Sequence, residues 1–418
     1  MIATLRPAGK LEGEIALPGD KSISHRALIL GAIASGASHV RGLSTGADVK
    51  STAACLRALG VEVGDSTIAG RGMRGLLAAA APLDCGNSGT TMRLLAGLLA
   101  AQDFASELTG DESLSRRPMD RIVEPLREMA AAAGWPPLRV GGKTPLRGIE
   151  YQSPVPSAQV KSAILIAGLY AEGKTAVIET IKTRDHTEVM LEALGATVNV
   201  DGTRVEVGPT ESLEPLDIHV PGDFSSAAFW LVAGGLVQRS HVRLLGVGVN
   251  PTRTAFADTL TSIGFQIRRS NERFEAGEAV ADLEVVPARE LRPLRVNGGL
   301  SARMIDELPV LAVAATQLPG TSVITGAAEL RVKESDRLAA MAEGLIAMGA
   351  DIVAQEDGWV IHGPRYLEGA RVNSAGDHRV AMALAVAGLI ADGRTEIEGA
   401  ECVDISYPGF FDHLEYLC

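Results

Sequence analysis

Residues 18–36 read PGDKSISHRALILGAIASG. A Pro-Gly-Asp turn runs straight into an apolar segment of helical length, and a glycine ends it. The aspartate stands where a side-chain oxygen can satisfy the free amides of a first helical turn. From Ala27 to Ala34 the segment carries no charge on any face. A surface helix would keep a polar stripe, so this one is expected at the centre of a domain. The pattern returns five times, as CGNSGTTMRLLAGLLAAQ (85–102), VPSAQVKSAILIAGLYAEG (155–173), PGDFSSAAFWLVAGGL (221–236), IDELPVLAVAATQLPG (305–320) and AGDHRVAMALAVAGLIADG (375–393). Markers at Asp20, Asn87, Ser157, Asp223, Asp306 and Asp377 lie 67, 70, 66, 83 and 71 residues apart. Such a period predicts six copies of one structural unit along the whole chain.

Most copies continue into a second helix ending on a glycine suited to a left-handed cap, as in VKSTAACLRALG (49–60), TEVMLEALG (187–195), AFADTLTSIG (255–264) and SDRLAAMAEGLIAMG (335–349). Short β-branched runs such as RVEVG (204–208), SVITG (322–326) and DIVAQ (351–355) read as strands. Each copy is then roughly βαβαββ, and the chain is α/β with three copies in each of two domains. Pro-Gly-Asp occurs at 18–20 and again at 221–223, and both are read as hinge strands. On that reading residues 1–18 join 223–418 in one domain, and 21–220 form the other.

The chain has 418 residues, of which 46% are hydrophobic and 22% charged, a globular rather than a disordered composition. With 39 basic and 51 acidic residues the net charge is −12, which disfavours nucleic acid or an anionic membrane as partner. Only a local cationic cluster could hold anions. The longest apolar run, Val380–Ala391, is short of the roughly 20 residues that cross a bilayer. The opening MIATLRPAGKLEGE meets charges before any apolar stretch, so the cytoplasm is expected. Cys55, Cys85, Cys402 and Cys418 show no CxxC spacing, which argues against a disulfide framework or a zinc site. At 4% aromatic content, stacking platforms for single strands are hard to build. GRGMRG (70–75) matches GxGxxG but lacks its βαβ setting, and is read as a turn. His186 and His378 are read as structural or substrate-contacting residues, and neither metal nor cofactor is expected.

Cations gather near the helix starts. Lys21, Ser22 and Arg26 lie in the first copy, Arg117 in DESLSRRPMDR, Arg184 in KTRDHTE, Lys333 and Arg337 in LRVKESDR, and Arg379 in AGDHR. The i,i+4 pairs Ser22/Arg26 and Lys333/Arg337 would share helix faces. A helix start prefers acids, so cations there point to a bound anion. Equivalent helix ends aimed at one place would strengthen that site. Asp306 and Glu334 are the candidate proton carriers; each also reads as an ordinary helix-start acid.

These segments resemble the enolpyruvyl transferases, most closely the branch acting on shikimate 3-phosphate. The resemblance is carried by GDKSISHRA (19–27), GNSGTTMR (86–93), LTGDESLSRRPM (108–119), SAQVKSA (157–163), RDHTE (184–188), NPTR (250–253), MIDELP (304–309), RVKESDR (331–337) and DHR (377–379). It implies two inside-out α/β domains that close over their substrates by a two-strand hinge. The implied reaction moves the enolpyruvyl group of phosphoenolpyruvate to the 5-hydroxyl of shikimate 3-phosphate and releases phosphate. By the same resemblance Lys21, Gly89, Arg117, Gln159, Arg337 and Arg379 match positions around phosphoenolpyruvate. Lys21, Ser22, Arg26, Ser157, Ala158, Gln159, Arg184, Asp306 and Lys333 match those around shikimate 3-phosphate. Asp306, helped by Lys333, is expected to take the hydroxyl proton, and Glu334 to protonate the methylene carbon; Lys21 completes the catalytic set. A monomer is expected, with glyphosate as inhibitor.

Two departures bear on that expectation. The motifs resemble a glyphosate-tolerant branch, yet Gly89 is the small residue of sensitive enzymes, and Ile405 stands where some relatives have a lysine. Two alternatives remain. A UDP-N-acetylglucosamine enolpyruvyl transferase shares the repeat but usually has a reactive cysteine, and residues 103–120 hold none. A non-catalytic anion-binding protein on the same scaffold would not need Asp306, Lys333 and Glu334.

Overall fold

The computed structural model describes residues 1–131, 133–134, 137–141 and 145–418. The fold is α/β and repeats its unit as the spacing predicts. Among the described residues six central helices occur, here α1 (Lys21–Ala32), α2 (Gly89–Ala100), α3 (Ala158–Gly168), α4 (Phe224–Leu236), α5 (Leu308–Ala315) and α6 (His378–Ile390). Their apolar positions have no outward face to lose: every residue of α5, and all but the last of α4 and of α6, is buried. Each Leu, Ile or Val so enclosed contributes about 1.5–3 kcal/mol.

The chain divides into two compact units. Unit 2 comprises Gly19–Val220 with Phe274–Glu278, and unit 1 comprises Met1–Pro18, Pro221–Arg273 and Ala279–Cys418. The sequence division places 274–278 with unit 1. They group with unit 2, where Glu278 meets Nδ1 of the buried His186 at 2.7 Å.

Unit 2 packs α1, α2 and α3 into one core. Three four-stranded sheets share one connectivity. In each, a first strand lies parallel to a second, and a hairpin then adds two antiparallel strands. In one of them Glu150–Gln152 runs parallel to Thr175–Ile178, which pairs antiparallel with Arg204–Val207, and that strand with Val198–Asp201. The sheet after α1 completes itself from the far end of the unit, where Asp217–His219 lies parallel to Ala37–Arg41.

Unit 1 repeats the plan around α4, α5 and α6. Its sheets take strands from the start of the chain. Glu12–Ala16 runs parallel to His241–Gly248, and Ile2–Leu5 pairs antiparallel with Thr395–Glu398. The amide of Asp223 donates to the carbonyl of Pro18 at 2.9 Å, which ties the two Pro-Gly-Asp segments together within this unit.

The second helices end as predicted on left-handed glycines; Gly60 and Gly195 have φ of 85° and 83°. GRGMRG (70–75) is a turn. A Cβ on Gly70 would lie 2.3 Å from the carbonyl oxygen of Ala34, so backbone packing accounts for that glycine. Among the described residues no helix is long and apolar enough to cross a membrane.

Candidate active site

In unit 2 the starts of α1, α2 and α3 are laced together by side chains. Asp20 caps α1 by accepting from the amide of Ile23 at 2.9 Å, Ser88 caps α2 and Ser157 caps α3. Lys21 opens α1 and donates to Asp48 Oδ2 at 2.9 Å. One turn on, Arg26 is 2% exposed and is caged by neutral oxygens. Its Nε donates to Thr187 Oγ1 at 2.7 Å, Nη2 to Ser162 Oγ at 2.7 Å and Nη1 to the Ser22 carbonyl at 2.9 Å. Burial pulls this guanidinium down to about 10, against the opposing pull of Glu188 and Asp20. Arg184 reaches Ser22 Oγ at 3.5 Å, so Ser22, Arg26 and Arg184 form one group.

The second group lies at α2. Arg93 donates to Gln159 Oε1 and, at 3.2 Å, to the Pro118 carbonyl. Gln159 donates in turn to Thr90 Oγ1 at 2.8 Å. Arg117 donates to Asn87 Oδ1 at 2.6 Å. A Cβ on Gly89 would sit 3.1 Å from Arg93 Nη1 and 3.4 Å from Arg117 Nη1, so the missing side chain keeps the space before both guanidiniums open. Ser157 and Ala158 stand beside Gln159 at the start of α3. A chain of hydroxyls joins the helix starts: His25 Nδ1 meets Thr52 Oγ1, Thr52 meets Thr91, and Thr91 donates to Ser88 Oγ, each at 2.7 Å.

In unit 1 one buried arginine meets three carboxylates. Arg337 is 1% exposed, yet its Nε donates to Asp377 Oδ2 at 2.7 Å, Nη2 to Glu334 Oε2 at 2.5 Å and Nη1 to Asp306 Oδ1 at 3.5 Å. Burial alone would lower this guanidinium, but Asp377, Glu334 and Asp306 outweigh it and hold it above the usual arginine range. Lys333 Nζ lies 3.7 Å from Asp306 Oδ1, and Arg379 Nη1 donates to the Asp306 carbonyl at 3.2 Å. Asp377 caps α6 through the amide of Arg379 at 2.8 Å, so it serves both arginines. Asp306, Lys333, Glu334, Arg337 and Arg379 are therefore one cluster. Ile405 ends the turn Ala400–Ile405 and brings no charge.

Three local expectations need correction. The caps of α2 and α5 are Ser88 and Glu307, one residue beyond the markers Asn87 and Asp306. Both marker side chains are drawn elsewhere, Asn87 to Asp111 and Arg117, Asp306 to Lys333 and Arg337. Lys333 and Arg337 do not share a helix face, because the helix Arg337–Ala347 begins only after Lys333, which is extended. They converge on Asp306 across a turn. The sequence reading also left Asp48 and Arg93 without a role, and read Asp377 only as a helix-start marker, not as a partner of Arg337. Arg93 was visible in GNSGTTMR as a cation one turn into a helix; nothing local marked Asp48 as a partner of Lys21.

Residues 5–414 match the sequence profile of the family EPSP synthase (3-phosphoshikimate 1-carboxyvinyltransferase). A protein of Gloeobacter violaceus named 3-phosphoshikimate 1-carboxyvinyltransferase is 53% identical, over 98% of this chain and 98% of its own. One of the same name from Geobacillus kaustophilus is 49% identical, over 97% and 98%. The solved EPSP synthase of Acinetobacter baumannii superposes with a TM-score of 0.89 at 43% identity, covering 100% of this chain and 98% of that one.

Proposed function

This chain belongs to the EPSP synthase family, and we propose how its residues divide the work of that reaction. It is an enzyme that transfers the 1-carboxyvinyl group to 3-phosphoshikimate, with phosphoenolpyruvate as donor. The family match sets aside the UDP-N-acetylglucosamine alternative and the non-catalytic one. The observation that carries the assignment of roles is the cluster of Asp306, Lys333, Glu334 and Arg337.

Unit 2 holds the anions. Lys21, Ser22, Arg26, Ser157, Ala158, Gln159 and Arg184 hold shikimate 3-phosphate, and Lys21, Gly89, Arg117 and Gln159 hold phosphoenolpyruvate; Arg93 joins the second set. Each charge-assisted bond to a phosphate or carboxylate oxygen adds about 1.5–3 kcal/mol. By the family resemblance Arg337 and Arg379 also match positions that contact phosphoenolpyruvate. Glu334, steadied by Arg337, gives its proton to the methylene carbon of phosphoenolpyruvate as C2 becomes cationic. The 5-hydroxyl then adds to C2 and passes its proton to Asp306, whose charge Lys333 supports. Glu334, now a carboxylate, takes a proton back from the methyl group as phosphate leaves the tetrahedral adduct with the proton held by Asp306, and the double bond is restored. Glyphosate is read as a competitor for the space before Gly89. Each unit closes its own repeat, which supports a monomer, and a cytoplasmic setting suits two phosphorylated metabolites.

The test is phosphate release from purified protein. It should require shikimate 3-phosphate and phosphoenolpyruvate together. Release driven by UDP-N-acetylglucosamine, or none with either acceptor, would overturn the reading.

A further inference from the structure

The segment Asn250-Pro-Thr-Arg253 has no place in the substrate contacts above, yet it is built with care. Asn250 Oδ1 accepts from the amide of Thr252 at 2.9 Å and from its hydroxyl at 2.8 Å, and the amide of Arg253 donates to the Asn250 carbonyl at 2.8 Å. This turn delivers the Arg253 side chain, 4% exposed, into the interior of unit 1. There Nη2 donates to Ser225 Oγ at 2.7 Å and lies 3.5 Å from Asp223 Oδ1, the cap of α4, and 3.8 Å from Glu307 Oε1, at the cap of α5.

Glu307 is the unusual member. An acid at a helix cap normally accepts an amide of its own first turn. Glu307 makes no such bond. Its carboxylate, 2% exposed, accepts instead from Ser225. We infer that Arg253 is a positioning residue for Asp306: with Ser225 it clamps Glu307, and so fixes the neighbouring peptide from which the Asp306 carboxylate projects. That carboxylate stands 3.7 Å from Lys333 and 3.5 Å from Arg337, contacts long enough for a small tilt to change which cation it faces. Misplacement by about 1 Å can cost a catalytic group about 100-fold. The inference rests on the proton-accepting role of Asp306 given above.

The test is a double-mutant cycle on the full chain with both substrates, comparing Arg253→Met and Arg253→Lys in the native and Asp306→Asn backgrounds. Arg253→Met should lower kcat by about 10–100-fold while both KM values stay within about threefold, and Arg253→Lys should recover part of the loss. In the Asp306→Asn background Arg253→Met should change kcat by less than about twofold, because the group it positions is gone. Equal losses in the two backgrounds, or a rise in KM at constant kcat, overturn the clamp alone. Native turnover by Asp306→Asn overturns the role of Asp306 and the clamp with it. If Arg253→Met shows no cooperative melt, Ser225→Ala carries the same cycle, with the same outcomes deciding.

Discussion

Arg26 and Arg337 are both buried guanidiniums near the helix starts of their units, and they are treated in opposite ways. Arg26 is bonded to two hydroxyls and a carbonyl, and Arg337 to three carboxylates. Neutral acceptors satisfy hydrogen bonds without cancelling charge, so Arg26 keeps a positive field that burial makes costly and an arriving anion relieves. Carboxylates offset the charge, so Arg337 presents a weaker field to a ligand than Arg26 does while it holds three acids in register. One repeat has thus yielded a buried guanidinium among neutral oxygens in one unit and a buried guanidinium among acids in the other.

That contrast can be broken at several points. The largest effect is expected from Glu334→Gln, which leaves the Arg337 bond in place but removes the proton donor. kcat should fall by about 10²–10⁴-fold with little change in KM, as read in steady-state and single-turnover assays; a loss confined to KM would make Glu334 a binding residue. Next come the two arginines exchanged for methionine. Arg337→Met strips the cation from three clustered carboxylates and should cost about 3–5 kcal/mol of stability in urea melts. Arg26→Met should cost clearly less, because Ser162 and Thr187 already bond each other at 2.6 Å, and should instead raise KM for shikimate 3-phosphate at least about tenfold. Equal destabilisation by both would dissolve the distinction.

Smaller effects sharpen it. Gly89→Ala places a methyl against the flexible tips of Arg93 and Arg117. The fold should survive, while KM for phosphoenolpyruvate rises by about tenfold, an overpacking cost near 1.4 kcal/mol; an unchanged KM would remove Gly89 from that site. The smallest effect is one of pH. Burial, with Lys21 and Arg26 nearby, holds the His25 imidazole well below its usual range. The unfolded chain takes up this proton near pH 6.5 and the folded chain does not. The contribution is therefore complete above about pH 6.5 and is lost as pH falls, by at most about 1.4 kcal/mol per pH unit. His25→Gln should flatten the dependence of unfolding free energy on pH between about 7 and 5; an unaltered slope would show that other groups set it.

How far these two settings were legible follows from the range of the forces involved. The six central helices are local events, an Asp or Ser at the cap and an uncharged run behind it, and periodicity found them. Their common spacing exposed the repeat. The bonds that give the helix starts their chemistry are not local. Ser225 meets Glu307 across 82 residues and Arg26 meets Thr187 across 161. Composition cannot distinguish an aspartate that caps, such as Asp223, from one that faces two cations, such as Asp306. Family resemblance supplied what spacing could not for Asp306 and Lys333. It included Arg253 in the motif NPTR but gave that residue no role.

The strands Ile2–Leu5 and Glu12–Ala16 are sheet partners of residues 395–398 and 241–248. On the ribosome the first strand of unit 1 emerges roughly 400 residues before its mate, while residues 19–220 bring every strand of their own four-stranded sheets and can consolidate as soon as they clear the exit tunnel. Synthesis therefore imposes an order on the halves: residues 19–220 can mature first, while the strands before residue 18 wait unmatched until 241–248 and 395–398 have emerged.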